Sequence, residues 1–248
     1  MIKKVLQSTD RVRRRTKSPE AGCSGAQRQY SEGGSGKWIP FASFCTTGQF
    51  NRLGGGYIRH CGPTAAVNVI RTLDNYVRNE NENSPGTRTS EAGAGKTEKS
   101  QGMDPEKLFL MCAEIGRRTH IYWNTEILGR FGGTSNALTK IYLRDCLRAA
   151  GKAIVKTRIR FHVWITPDAV EKAVCSGAIV YLQVYRHPRY QNHHMLCYGC
   201  RRNEGKREFL LADGWSPHPI WVGDRDLGRG HYLTIRCREE SPCQKRSL

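Results

Sequence analysis

The chain has 248 residues, ten cysteines and a formal net charge of +18, which is long enough for one domain with a substantial core. Its balance of 38% apolar and 25% charged residues is that of an ordinary globular protein. No apolar run approaches the roughly 18 residues that a membrane span needs, so no membrane span is expected. The start, MIKKVLQSTDRVRRRTK, is basic but lacks an apolar h-region. No secretory signal is expected there, and the expected address is the cytoplasm.

Residues 1–36 are rich in Arg, Ser, Gly and Gln and end in SEGGSG. Such a stretch buries too little to fold, so a disordered basic arm is expected. The globular part is expected over 37–237, opening with WIPFASF, with a C-terminal tail over 238–248. A helix is predicted from Cys61 or Gly62 to about Val77, with Pro63 in its first turn, where the missing N–H costs nothing. Residues 79–102, NENENSPGTRTSEAGAGKTEKSQG, read as a flexible surface insertion. The AGAGKT inside it lacks the first glycine of a P-loop and the preceding buried strand, so nucleotide binding is not expected there.

Asp104-Pro105 caps a second helix, Glu106 to about Arg117. A third follows Gly132-Gly133-Thr134-Ser135, with Leu138, Ile141, Tyr142, Cys146 and Leu147 as its apolar stripe. AIVKTRIRFHVWI then reads as strand, and Thr166-Pro167 caps a short helix to about Cys175. AIVYLQVY, HHMLCYG, REFLLAD, HPIWVG and HYLTIR follow, separated by turn residues. Helices first and then strands in succession predict an α+β domain, with one helix layer on one face of a C-terminal antiparallel sheet.

The charge favours polyanions. It is spread widely, and no run alternates basic with aromatic residues, so the expectation is non-specific polyanion association through the basic surface and the arm. The scattered cysteines argue against a disulfide framework, and most read as core filler. Cys197 and Cys200 form a CxxC, but no second pair or His pair follows at metal spacing, so no zinc site is expected.

Chemistry centres on Cys61. At a helix N-terminus, orphan N–H groups and the macrodipole lower a thiol pKa, so Cys61 reads either as a nucleophile or as a structural thiol. His193-His194 opens a strand in which His193, Met195 and Cys197 share one face and His194 and Leu196 the other. The pair reads either as a surface pair or as the source of a general base. Asp213 ends the next strand, where it is either part of a turn or the carboxylate that fixes the base's tautomer.

The ordered set of segments resembles the papain-like cysteine peptidases. CGPTAAVNVI is similar to the nucleophile segment of the branch that includes bacteriocin-leader peptidases and their stand-alone bacterial relatives. His193 through Gly199 resembles that family's histidine strand, and LLADGW resembles the strand that ends in its orienting Asp or Asn. The resemblance spans roughly Gln49 to Trp215. It implies a papain-like fold and a thiol hydrolase that cleaves a peptide or protein substrate, or another amide, without metal or organic cofactor. In that scheme Cys61 attacks the carbonyl, His193 carries the proton, Asp213 orients His193, and the Cys61 N–H with an upstream amide binds the oxyanion.

The family's Gln just upstream of the cysteine is missing. The segment there is GGGYIRH, and the nearest amides are Asn51 and Gln49. Leader peptidases of this branch are usually fused to a membrane transporter with a nucleotide-binding domain. This chain carries neither, so cleavage coupled to export within one polypeptide is not expected. The alternatives are an acyltransferase or transglutaminase-like enzyme on the same fold, and a catalytically inactive binding module.

Overall fold

In the computed structural model, residues 36–53, 59–83, 103–127, 131–151 and 157–237 are described. The expected basic arm (Gly36 excepted), the GKT-bearing stretch 84–102 and the tail 238–248 lie outside the described residues. The elements run β1 (Lys37–Trp38), α1 (Thr47–Phe50), α2 (Cys61–Asn83), α3 (Pro105–Arg118), β2 (Tyr122–Ile127), β3 (Phe131–Thr134) and α4 (Thr139–Ala149). Then come β4 (Thr157–His162), α5 (Pro167–Cys175), β5 (Ile179–His187), β6 (Gln191–Asn203), β7 (Lys206–Ala212), β8 (Ile220–Gly223) and β9 (Arg229–Cys237), with a 3₁₀ turn, Asp224–Leu227, before β9.

Local chemistry sets the helix starts. The Asp104 side chain accepts from Glu106 N–H at 3.0 Å with Pro105 at the first helical position, and Thr166 Oγ1 accepts from Ala169 N–H at 3.3 Å. Helix α2 runs on to Asn83, past the expected end near Val77. An Asp74–Arg78 ion pair of 3.1 Å at i,i+4 spans that point, and the first helix-breaking residue in the sequence is Pro85. The hairpin β2–β3 was not expected from the sequence. It pairs Tyr122 with Thr134 and Trp123 with Gly133.

The main sheet has the order β4-β9-β5-β6-β7-β8, with every neighbour antiparallel. Strand β1 continues the β5 edge of β6: β5 pairs up to Cys197, and Trp38 and Lys37 then pair with Gly199 and Cys200. Gly199 permits this approach. A Cβ there would stand 2.9 Å from Trp38 Cβ and 3.1 Å from Leu210 Cβ.

Two cores flank the sheet, and this corrects the expectation of one helix layer on one face. Ile70, Phe109 and Leu143 of α2, α3 and α4 pack with Tyr181, Leu196 and Tyr198 on one face. Val170 and Val174 of α5 pack with Val180, Leu182, Met195 and Cys197 on the other. A strand covered on both sides is apolar on both sides, and β5 is buried without interruption from Ile179 to Val184. The α+β class stands, with helices beside a large antiparallel sheet. Among the described residues no helix is long and apolar enough to cross a membrane.

Candidate active site

Cys61 is the first residue of α2. His60 precedes it as the cap, its carbonyl accepting Thr64 N–H at 3.0 Å. Arg59, at φ 47°, turns the chain sharply into the helix. Gly62 follows because Thr134 lies against it: a Cβ there would fall 2.1 Å from Thr134 Oγ1. The helix tip is thereby pressed onto the end of β3, and the Cys61 side chain faces an open cleft of about 760 Å³. Asn51, His193, His194, Tyr190 and Trp215 line the same cleft.

The expected lowering of the thiol pKa does not hold. Burial raises the Cys61 thiol above its ordinary value, while main-chain hydrogen bonds from His194, Gly62 and Cys61 itself pull it back only in part. The helix-tip N–H groups act in the expected direction, and desolvation outweighs them. The contact with His194 N–H also places the sulfur beside the histidine strand. The thiol S–H donates to Arg59 O at 4.0 Å, and among the described residues the sulfur makes no hydrogen bond to the His193 ring.

The two histidines differ in what occupies their rings. His194 Nδ1 lies 3.1 Å from the Tyr181 hydroxyl, and the ring also hydrogen-bonds the Thr134 main chain. Burial first, then the neighbouring His193, push its pKa down to about 3. Both nitrogens are used, so this ring holds the helix tip, hairpin and sheet together and is a poor proton carrier. His193 Nε2–H donates to the Asp213 main-chain carbonyl at 2.6 Å. That bond fixes the tautomer and leaves Nδ1 as a lone-pair acceptor without a hydrogen bond among the described residues. The ring stacks on Tyr190 at 5.5 Å and tilts against Trp215 at 5.0 Å. Burial lowers its pKa, so it rests neutral.

Asp213 meets the His193 ring through its main-chain carbonyl, and its carboxylate is turned elsewhere. Oδ1 accepts from Trp215 N–H at 2.9 Å and Ser216 N–H at 2.8 Å. Oδ2 accepts from the Tyr190 hydroxyl at 3.2 Å, with Arg189 at 3.9 Å. The carboxylate is consumed in shaping the turn after β7, where Gly214 takes φ 72°. The carbonyl of the same residue then points at the imidazole.

The two candidate oxyanion amides separate. Gln49 Oε1 accepts from Thr46 N–H at 2.9 Å in a capping box for α1, and the side chain does not line the cleft. Asn51 does line it. Its Oδ1 accepts from His60 Nε2–H at 2.8 Å, and His60 Nδ1 lies 3.3 Å from Thr64 Oγ1. With the oxygen held by His60, the Asn51 amide N–H groups are the end left for a ligand.

Residues that sequence reasoning missed complete the walls. Thr47 N–H and Oγ1 both bond Gly214 O, at 2.7 and 3.1 Å, tying α1 to the loop that carries Trp215. Thr134 Oγ1 and Asn136 Oδ1 are buried in the wall without a hydrogen-bond partner among the described residues. The Asn136 oxygen is an acceptor, and the Thr134 hydroxyl can donate or accept. The only signal for Trp215 was its place after LLADG, and nothing in the sequence marked Tyr190. Among the described residues no group of three His, Cys, Asp or Glu side chains is placed to hold a metal ion. No model of a known protein family matches the chain, and no curated protein matches it in sequence.

Proposed function

We propose that the protein is a papain-like thiol hydrolase that cleaves a peptide or other amide through Cys61 and His193. The observation that carries the reading is the His193 ring. Its Nε2–H is committed to a main-chain carbonyl and its Nδ1 is open, in the cleft that also holds the thiol of Cys61. A neutral imidazole with a free lone pair takes the thiol proton as sulfur attacks the scissile carbonyl. The imidazolium then gives that proton to the departing amine. Water, activated by the same ring, breaks the thioester and regenerates the thiol. The N–H groups at the α2 tip and the Asn51 amide stabilise the oxyanion of each tetrahedral intermediate.

The resting pair is neutral, because burial raises the thiol and lowers the imidazole. The pKa of the thiol also favours a rival, an inactive module that binds peptides in the same cleft. Incubating wild type and Cys61→Ala with a mixed peptide library separates the two. Cleavage by wild type alone is expected. Equal cleavage by both removes Cys61 from the mechanism, and binding without cleavage by both supports the inactive module.

A further inference from the structure

A second groove, of about 510 Å³, lies between strands β4 and β9 and helix α5. Arg158, Arg160 and Arg236 rise from one face of the two strands, and Lys172 reaches in from α5. The register puts Arg158 directly opposite Arg236 and Arg160 opposite Thr234. Like charges facing each other across a ladder destabilise it. Among the described residues no carboxylate lines this groove, and none of the four cations makes an ion pair.

The contrast with neighbouring arginines is sharp. Arg207 holds Asp168, Glu171 and Asp224, while Arg201 holds Glu208 and Arg202 holds Glu171. The acids of α5 are thus drawn to the Arg207 side, and its Lys172 and Ser176 are left to the groove. Ser176 Oγ accepts from Arg236 and donates to Ala173 O at 2.7 Å, so one guanidinium is already held in place. The α5 C-terminus supplies about half a negative charge, far short of four cations. At the other end, the His162 ring stacks flat on Tyr232 at 4.3 Å, closing the groove with an aromatic pair.

We propose that this groove binds a compact polyphosphate, inorganic or esterified as in a nucleoside triphosphate. Same-face positions along a strand are about 7 Å apart and cross-strand partners about 5 Å, a spacing that sets two or three phosphates between the guanidinium forks. The volume fits a small molecule. A long polymer is disfavoured, because the cations converge on one end of one sheet and do not form a stripe. The site shares no residue with the Cys61 cleft and stands whatever that cleft does.

The test is calorimetric titration of the full chain with inorganic tripolyphosphate at low salt, against the double variant Arg158→Ala/Arg160→Ala. Both residues are exposed, so folding is expected to survive, and circular dichroism checks it. Saturable binding that weakens about tenfold or more in the variant supports the site. ATP binding at least as tightly, with the same loss, marks an esterified ligand. Equal affinity in both proteins places the anion elsewhere, on the basic arm for example, and overturns the proposal. So does a single-stranded oligonucleotide that binds here and that tripolyphosphate does not displace.

Discussion

Substituting Asp213 by Asn removes the charge but keeps the oxygen that receives Trp215 and Ser216 N–H. In a triad whose carboxylate touches the ring, that change selects the wrong tautomer and drops kcat about 10⁴-fold. Here the imidazole partner is the main-chain carbonyl, at 2.6 Å, which Asn supplies equally well. The expected fall in kcat/KM is less than about tenfold, or about 1.4 kcal/mol. Stability is where the loss is expected. Asp213 is fully buried, with two main-chain N–H groups and one hydroxyl on its carboxylate. Converting charge-assisted bonds to neutral ones costs about 1–3 kcal/mol in total. Urea unfolding gives the stability change, and kcat/KM on a peptide that wild type cleaves gives the rate. A thousand-fold rate loss with unchanged stability would show that the carboxylate itself acts on the ring and would refute the main-chain assignment.

Asn51→Ala is expected to lower kcat about a hundred- to a thousand-fold with little change in KM, while Gln49→Ala leaves kcat near wild type; steady-state kinetics on both decide which amide serves the oxyanion. Because burial raises the Cys61 thiol and lowers His193, iodoacetamide alkylation of Cys61, followed by peptide mapping, should keep accelerating from pH 6 through pH 9. A plateau across neutral pH would instead reveal a preformed thiolate–imidazolium pair. His194 has its folded pKa pushed from 6.5 down to about 3, so the unfolded chain binds the extra proton first. Its contribution is complete above pH 6.5 and is lost as pH falls toward 3, at up to about 1.4 kcal/mol per unit. His194→Gln should flatten the acid limb of unfolding free energy against pH, and an unchanged slope would contradict the assignment.

The strands after Gly177 were legible because turn residues punctuate runs of apolar residues, and α3 and α5 because Asp104-Pro105 and Thr166-Pro167 are local capping signals. The second core was not, since period-2 alternation disappears when both faces of β5 are covered. Hairpin β2–β3 was hidden because Gly132 and Gly133 read as a loop, and only the pairing of Gly133 and Thr134 with Trp123 and Tyr122 makes the segment strand. At the site, the resemblance grouped Cys61, His193 and Asp213, and the His193 ring does meet Asp213. The resemblance carried no information about which oxygen of Asp213 meets the ring, which depends on how Trp215 and Ser216 fold back. Nor did it show that burial outweighs the helix tip at the thiol, a balance set by packing against β3 and β6. The sulfur nearest that of Cys200 in space belongs to a residue far from the CxxC in sequence, Cys175 on α5, at 3.3 Å.

Rapid acid quench during turnover of an activated N-acyl peptide ester, followed by intact mass and peptide mapping, tests the thioester chemistry most directly. One acyl group on Cys61, absent in Cys61→Ala and accumulating far more slowly in His193→Ala, is the expected result. Turnover that continues in Cys61→Ala, or an acyl group carried by any other side chain, would contradict it.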